Sequence, residues 1–445
     1  MDKISQENTD LKMRLIDDFN NFEASLNGQS NNGMHSVRQD ALAYINENGF
    51  PTRKYEEWKY TNPANILRHE YEQAIVRPAE IPEPSLLKEL ITDDEASTLV
   101  FVNGRYVHQL SNVKTAMNGF YAGSFADAYK SHGEIIEKHF GQLAKIRKGA
   151  FVAMNTAFTF DGTFILVPDG AEINETLRIF NIADARNGIY MSQPRNMFIV
   201  GSNACIRISE EFYTLGSNPS LTNMVTEIFC AERSTLEHYK VQNDGSSANH
   251  VGNTCIRQEA NSHYTNTTVT WGGSIIRNNL QAEYAGSNTE CHFYGLYLLR
   301  DKQHADNHTL ADHAMPNCYS NELYKGILAD KSTGVFNGRI LVRQDAQKTN
   351  AYQSNNCILL SEDAMNYSKP QLEIFADDVK CSHGATTGQL STQEMFYLRS
   401  RGIDEELART MLLQAFAGDV IDSVKDDHLR VKLEKKLMEI LNRAD

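Results

Sequence analysis

Apolar residues recur at two spacings along the chain, and the change between them divides it into three stretches. Up to about residue 145 the spacing is mostly helical. SVRQDALAYINENGF places Val37, Ala41, Tyr44 and Ile45 near one helical face, with Ser36 positioned to cap the start and Gly49 and Pro51 to stop it. KYEEWKYTNP follows, with Trp58 set between charges, and the proline-rich RPAEIPEPSLL reads as a linker or loop. In TLVFVNGRYVHQL, Asn103 and Gly104 separate two apolar runs, which predicts a hairpin. From about 150 to 385 the runs are short and β-type (TFILV, NMFIV, TEIFC, NTTVTW, GRILV, CILL), divided by Asn, Gly, Asp and Ser turns. So long a β region predicts a sandwich, a barrel or a stacked solenoid. A loose rhythm favours the solenoid: Cys205, Cys230 and Cys255 lie 25 residues apart, and AERSTLEHY, ANSHYTNTT and AGSNTECHF recur at similar intervals.

The last 55 residues return to helical spacing. Ser391 and Glu394 form a capping box that opens STQEMFYLRSRG, with Gly402 as its stop. Asp404 caps a second helix with an apolar stripe of Leu407, Met411, Leu412 and Ala415, and HLRVKLEKKLMEIL makes a third. Such a stripe packs on its own domain or docks a partner, with Phe416 as an anchor. The division is therefore 1–145 mainly helical, 146–388 a β core, and 389–445 helical.

Charge narrows the class of partner. The 445 residues carry a net charge of −14, which argues against a nucleic-acid footprint or attachment to anionic lipid. No run reaches the ~18 apolar residues that span a bilayer, and MDKISQENTD lacks the order of a secretory signal, so the expected location is the cytoplasm. Seven cysteines are scattered without any Cys-x-x-Cys, which fits free thiols, six of them core residues.

Two constellations could carry chemistry. In DDVKCSHGATTGQL, Cys381 and His383 stand two apart, so on a strand they share one face roughly 6.5–7 Å apart. That spacing suits two groups converging on a metal that awaits further ligands, and equally a structural Cys beside a hydrogen-bonded His. Asp377, Asp378 and Lys380 flank them as solvated residues. DKQHADNHTLADHAMP carries His304, Asp306, His308, Asp312 and His313, a set that reads as a metal-dependent hydrolase site built on His304, Asp306 and His308, or as hydrogen-bonded polar residues lining one turn of a solenoid. No Gly-x-x-x-x-Gly-Lys-[Ser/Thr] phosphate-binding loop occurs in the chain.

One comparison outweighs these local readings. From DNHTLADHAMPNCYSNELYKGILADKSTGVFNGRILV through QDAQKTNAYQSNNCILLS and KPQLEIFADDVKCSHGATTGQL to FYLRSRGI, the sequence closely resembles the C-terminal half of the SufB/SufD family of iron–sulfur cluster assembly proteins. KYEEWKYTN adds a second landmark, and CSHGATTGQ, with glycine after the histidine, favours the SufD branch. The resemblance implies a right-handed parallel β-helix with helical regions at both ends. It further implies a subunit without turnover of its own, which pairs with a SufB-like paralogue, or with itself in isolation, and binds a SufC-like ABC ATPase through its C-terminal helices. Carried over by position, Cys381 and His383 match the residues at the paralogue interface, where a transient cluster is shared with the partner. Arg401, Ile403 and Phe416 fall in the implied ATPase-docking region, and Trp58 and Tyr60 are expected to anchor the N-terminal helices.

Overall fold

A computed structural model of the chain describes residues 3–25, 33–76, 81–87, 90–91, 96–115 and 117–442. Successive strands of the central region alternate between two sheets. Sheet A runs from Met365–Ile374 back through Thr333–Val342, His304–His313, Ile275–Tyr284, Ala248–Gln258, Ser220–Cys230, Arg195–Val200 and Thr163–Val167 to Tyr121–Ser124. Sheet B runs from Lys380–Gly388 through Asn350–Leu359, Tyr319–Leu328, Glu290–Leu299, His263–Thr270, Thr235–Asn243, Cys205–Leu215 and Glu172–Asp184 to the hairpin of Thr98–Val102 and Arg105–Tyr106. From Glu172 onward all pairing is parallel, and the result is a β-solenoid of about eight turns, as the resemblance implied. The hairpin forms where predicted, with Asn103 and Gly104 both at positive φ.

Inward side chains stack in register from coil to coil. Ile228, Ile256, Ala282, Ala311 and Ile340 form one such column, buried throughout, with Leu372 half-buried at its end. Each fully buried Ile contributes about 1.5–3 kcal/mol over an exposed one. At one corner of each coil a single residue takes the left-handed conformation: Asn203, Arg233, Asn261, Asn288, Asn317 and Lys348. Four of the six are Asn, the residue that visits this region at least cost after Gly. Each of their N–H groups donates to a carbonyl of the next coil, from Asn203 to Glu232 up to Lys348 to Asp378.

These turns correct the expected rhythm. Register partners lie 26 residues apart for Asn249 and Ile275 and 32 for Thr333 and Met365, so the 25-residue cysteine spacing is not the coil repeat. Cys205 sits half-buried on sheet B, whereas Cys230 and Cys255 are buried on sheet A, on opposite faces. All seven thiols are free and five are buried, one fewer core cysteine than expected.

Helices cover both outer faces. Leu15, Phe19 and Phe22 of helix Lys3–Ser25, Ala41 and Ile45 of helix Met34–Asn48, and helix Ala150–Ala157 pack over Met191, Leu221 and Val251 of sheet A. Ser36 is inside the second helix, which begins at Met34, so it is no cap; Gly49 ends that helix as expected. On sheet B, Tyr239, Val269, Leu296 and Ile327 receive Leu413, Ala417, Val420, Leu433 and Leu437 of helices Glu405–Ile421 and Asp427–Leu441. Ser391 and Asp404 cap their helices as predicted. Leu407 and Met411 do not pack: they face out, 49% and 40% exposed, because the residues against the sheet are Leu413, Ala417 and Val420. Of the RPAEIPEPSLL segment, residues 77–80 lie outside the described residues, and Pro84–Leu87 is a short helix. No helix among the described residues is long and apolar enough to cross a membrane.

Candidate functional site at the open end of the solenoid

Every inner coil has a neighbour on each side, but the last does not. Strand Met365–Ile374 pairs only with Thr333–Val342, and Lys380–Gly388 only with Asn350–Leu359. Among the described residues nothing covers their outer edges. Apolar side chains stand exposed there, Met365 at 47% and Phe375 at 64%. An uncovered edge bearing such residues is a template for pairing with another chain.

The register fixes where the two sequence-predicted residues point. Cys381 lies beside Ala351 and His383 beside Gln353, and both neighbours are buried inward-facing residues. The expected shared face is therefore the one lining the solenoid interior, at its mouth. Cys381 is half-buried against the core, and burial pushes its thiol above the ordinary range, only partly offset by a hydrogen bond from the Ala351 backbone. His383 is exposed and has no hydrogen-bond partner among the described residues. Across the mouth, Asn366 Nδ2 donates to Thr387 Oγ1 at 2.9 Å and ties the two edge strands together. Asp377, Asp378 and Lys380 are exposed, as read from sequence.

Directly beneath His383 the inward column continues through Gln353 to Glu322. Sequence reasoning missed both, because the column joins residues about thirty apart that share no local pattern. Glu322 is fully buried, and among the described residues no cation lies beside it. Burial pushes its carboxyl up to about 7, against a partial lowering by hydrogen bonds from Thr309 and Gln353.

The second constellation is built differently. His304, Asp306 and His308 do share the outer face of one strand, but His313 lies on the opposite face, in the core, 2.9 Å from Ser320 Oγ. Arg277 Nη1 donates to Asp306 Oδ2 at 2.6 Å, Thr61 Oγ1 donates to the same oxygen at 2.5 Å, and His308 Nε2 stands 2.9 Å from Oδ1. Thr61 also meets His304 Nε2 at 2.7 Å. Burial would raise the Asp306 carboxyl, but Arg277 and then His308 outweigh it and hold it below the usual carboxylate range. The guanidinium of Arg277 in turn lies 3.9 Å from the Trp58 ring centre. KYEEWKYTN thus straps the outer face of sheet A, with Glu56 on Lys369 at 2.6 Å and Tyr60 stacked on Tyr367 at 4.4 Å. Among the described residues no group of three or more His, Cys, Asp or Glu is placed to hold a metal ion. The hydrolase reading loses its geometry here, since Arg277 and Thr61 already occupy the oxygen that a metal would need.

The implied docking region lies on the outer side of the C-terminal helices. Arg401 is exposed, its guanidinium 5.3 Å from the Tyr397 ring centre, and Ile403 is half-buried. Phe416 turns toward the body, its ring 4.5 Å from Lys325 Nζ, which also pairs with Asp419. The exposed aromatic residues are instead Phe396 at 75% and Tyr397 at 57%, next to a groove of about 530 Å³ lined by Leu360, Leu390, Met395, Arg409 and Leu413. Their adjacency in STQEMFYLRSRG, on a helix with no buried residue, was the available signal.

Comparison with known proteins extends this picture over the whole chain. Residues 180–416 match the family described as SUF system FeS cluster assembly, SufBD core domain, and residues 9–179 match the SufBD protein N-terminal region. An iron–sulfur cluster assembly SufBD family protein of Synechocystis is 29% identical over 97% of this chain and 96% of its own. The iron–sulfur cluster assembly protein SufD of Escherichia coli is 29% identical over 88% and 89%. The chloroplastic protein ABCI7 of Arabidopsis thaliana is 28% identical over 89% and 84%.

Proposed function

The chain belongs to the SufB/SufD family of the SUF iron–sulfur cluster assembly system, and we propose that it is the SufD-type subunit there, a scaffold without turnover of its own. In this reading the open end pairs with a SufB-like paralogue, and the C-terminal helices dock a SufC-like ABC ATPase in the cytoplasm. A nascent cluster is built and handed on as cargo at the junction. A homodimer through the same end is the state of the isolated chain.

The observation that carries the reading is the pairing of an unfinished sheet with an unfinished ligand set. His383 and Cys381 face the mouth of the last coil, where two donors fall short of the four that an iron–sulfur cluster takes. A partner that continues the sheets would bring further donors to the same rim. His383 serves as the nitrogen ligand. Cys381 binds as thiolate only when a metal ion displaces the proton that burial makes harder to lose. Weak, shared ligation suits a scaffold, because a complete buried site would retain its cargo. Phe396, Tyr397, Leu407 and Met411 supply the exposed apolar surface for the ATPase, with Arg401 and Ile403 beside them and Phe416 bracing the helix from within.

Co-expression with the neighbouring paralogue and ATPase, followed by purification through a tag on this chain, tests the assembly. All three are expected to co-elute, and His383→Ala is expected to leave the complex intact while abolishing cluster formation in cells. Normal cluster formation by that variant, or failure of the three chains to co-elute, overturns the reading.

A further inference from the structure

Gln353 is buried one strand below His383, and its two amide ends are treated unequally. Its Nε2 donates to Glu322 Oε2 at 3.2 Å, while Oε1 is buried with no partner among the described residues. The orientation follows from the acceptor: Glu322 Oε2 accepts whether or not the carboxyl carries a proton on Oε1, so the N–H₂ end faces Glu322 and the carbonyl end points elsewhere. Glu322 is itself held, with Thr309 donating to the same Oε2. A glycine makes room for the amide. On the facing sheet, a Cβ at Gly338 would lie 2.6 Å from Gln353 Cδ, closer than side chains tolerate. The amide is thus fixed from below by Glu322, itself held by Thr309, and given space across the interior by Gly338.

A buried carbonyl without a donor is destabilising unless one arrives. The donor next in register on the same inward face is the His383 imidazole. Metal-binding histidines generally donate their second ring N–H to a carbonyl or carboxylate, which fixes the tautomer and aims the free lone pair at the metal.

We propose that Gln353 is a positioning residue for His383: its side-chain carbonyl accepts one ring N–H of the imidazole, so the other nitrogen presents its lone pair to the open rim, and Glu322 sets the direction of the amide. The inference rests on the reading of His383 as a cluster ligand. It adds the chain Glu322–Gln353–His383 as the device that holds the ring ready before a partner docks. Gln353 touches no cargo and acts only through the histidine.

Nuclear magnetic resonance of the full chain, with ¹⁵N placed only in its 14 histidines, gives the direct readout. His383 is assigned from the signal lost in His383→Ala. The wild type is expected to show a His383 ring N–H protected from solvent exchange, with the proton confined to one nitrogen. Gln353→Met is expected to lose that protection. Glu322→Leu is expected to lose it as well, because the amide is then free to turn, whereas Glu322→Gln keeps an acceptor for Nε2 and restores it. The last pair separates positioning from general damage to the core, and decides the matter should Gln353→Met fail to fold. An unprotected His383 N–H in the wild type, or equal protection in the Leu and Gln variants at position 322, overturns the inference. Cluster formation by His383→Ala bears on the ligand reading alone, so the two can fail separately.

Discussion

The outer face of sheet A and the open end of the solenoid each gather titratable side chains around a histidine, and they differ in what remains to be bonded. At His304, Asp306 and His308 the strap residues Thr61 and Trp58, with Arg277, meet the charge and most of the hydrogen-bonding capacity from within the chain. At Cys381 and His383 the interior contributes a column of polar groups that stops one bond short, and among the described residues the exterior contributes nothing. The first arrangement is held shut by its own charges and contributes to docking the N-terminal region. The second is left for another molecule to complete. Residue type alone would have ranked them the other way, since the first holds more metal-binding side chains.

The sharpest way to break the contrast is to remove the compensating charge from the closed cluster. Arg277→Met leaves Asp306 buried without its cation, and a loss of about 3–5 kcal/mol is expected in urea unfolding. Adding Asp306→Leu to that variant should recover most of the loss. At the open end the corresponding buried carboxylate has no cation among the described residues, so the sign reverses. The Glu322 carboxyl is raised to about 7 in the folded chain from an ordinary value of 4.5. Between those values the unfolded chain ionises it and the folded chain does not, so this group makes stability fall as pH rises from about 4.5 to 7 and adds nothing further above that. Glu322→Gln is expected to remove the decline, and at pH 8 to be more stable than wild type by up to about 3 kcal/mol. Thermal melts of both proteins across that pH range check it.

Two smaller effects sharpen the comparison. Gly338→Ala should displace the Gln353 amide at a cost of about 1–3 kcal/mol in urea unfolding. His383→Ala should change stability by no more than about 1.5 kcal/mol in the same measurement, since the exposed ring loses at most its one hydrogen bond to Gln353, while removing the activity of the assembly. A large stability loss in that last variant would mean the residue is structural.

Much of this architecture is legible in local sequence, and the unread part has a common cause. The hairpin at Asn103 and Gly104, the caps at Ser391 and Asp404, and the shared face of Cys381 and His383 depend on residues within four positions of each other. The coil length did not yield to the same reading, because loops vary while the register is kept, and the evenly spaced cysteines offered a false period. Nor did the sheet A partners of Trp58 and Thr61, Arg277 and Asp306, which lie more than two hundred residues away in sequence, although an anchoring role for Trp58 was expected. The stripe of Leu407 and Met411 was visible, but the helix Glu405–Ile421 is apolar on more than one face, so periodicity could not say which face packs. Gln353 and Glu322 look like ordinary strand residues until the coils are stacked.

The ladder of left-handed corners has one more effect. Because each coil is bonded only to its neighbours, the terminal coil is clamped from one side and frays first. Its two strands should not fray alike: Tyr60 and Glu56 pin Met365–Ile374 from outside, whereas Lys380–Gly388 has no such clasp among the described residues. Amide deuteration should therefore begin at the strand that carries His383, and the slowing of that uptake when a second polypeptide seats itself would time the docking event residue by residue.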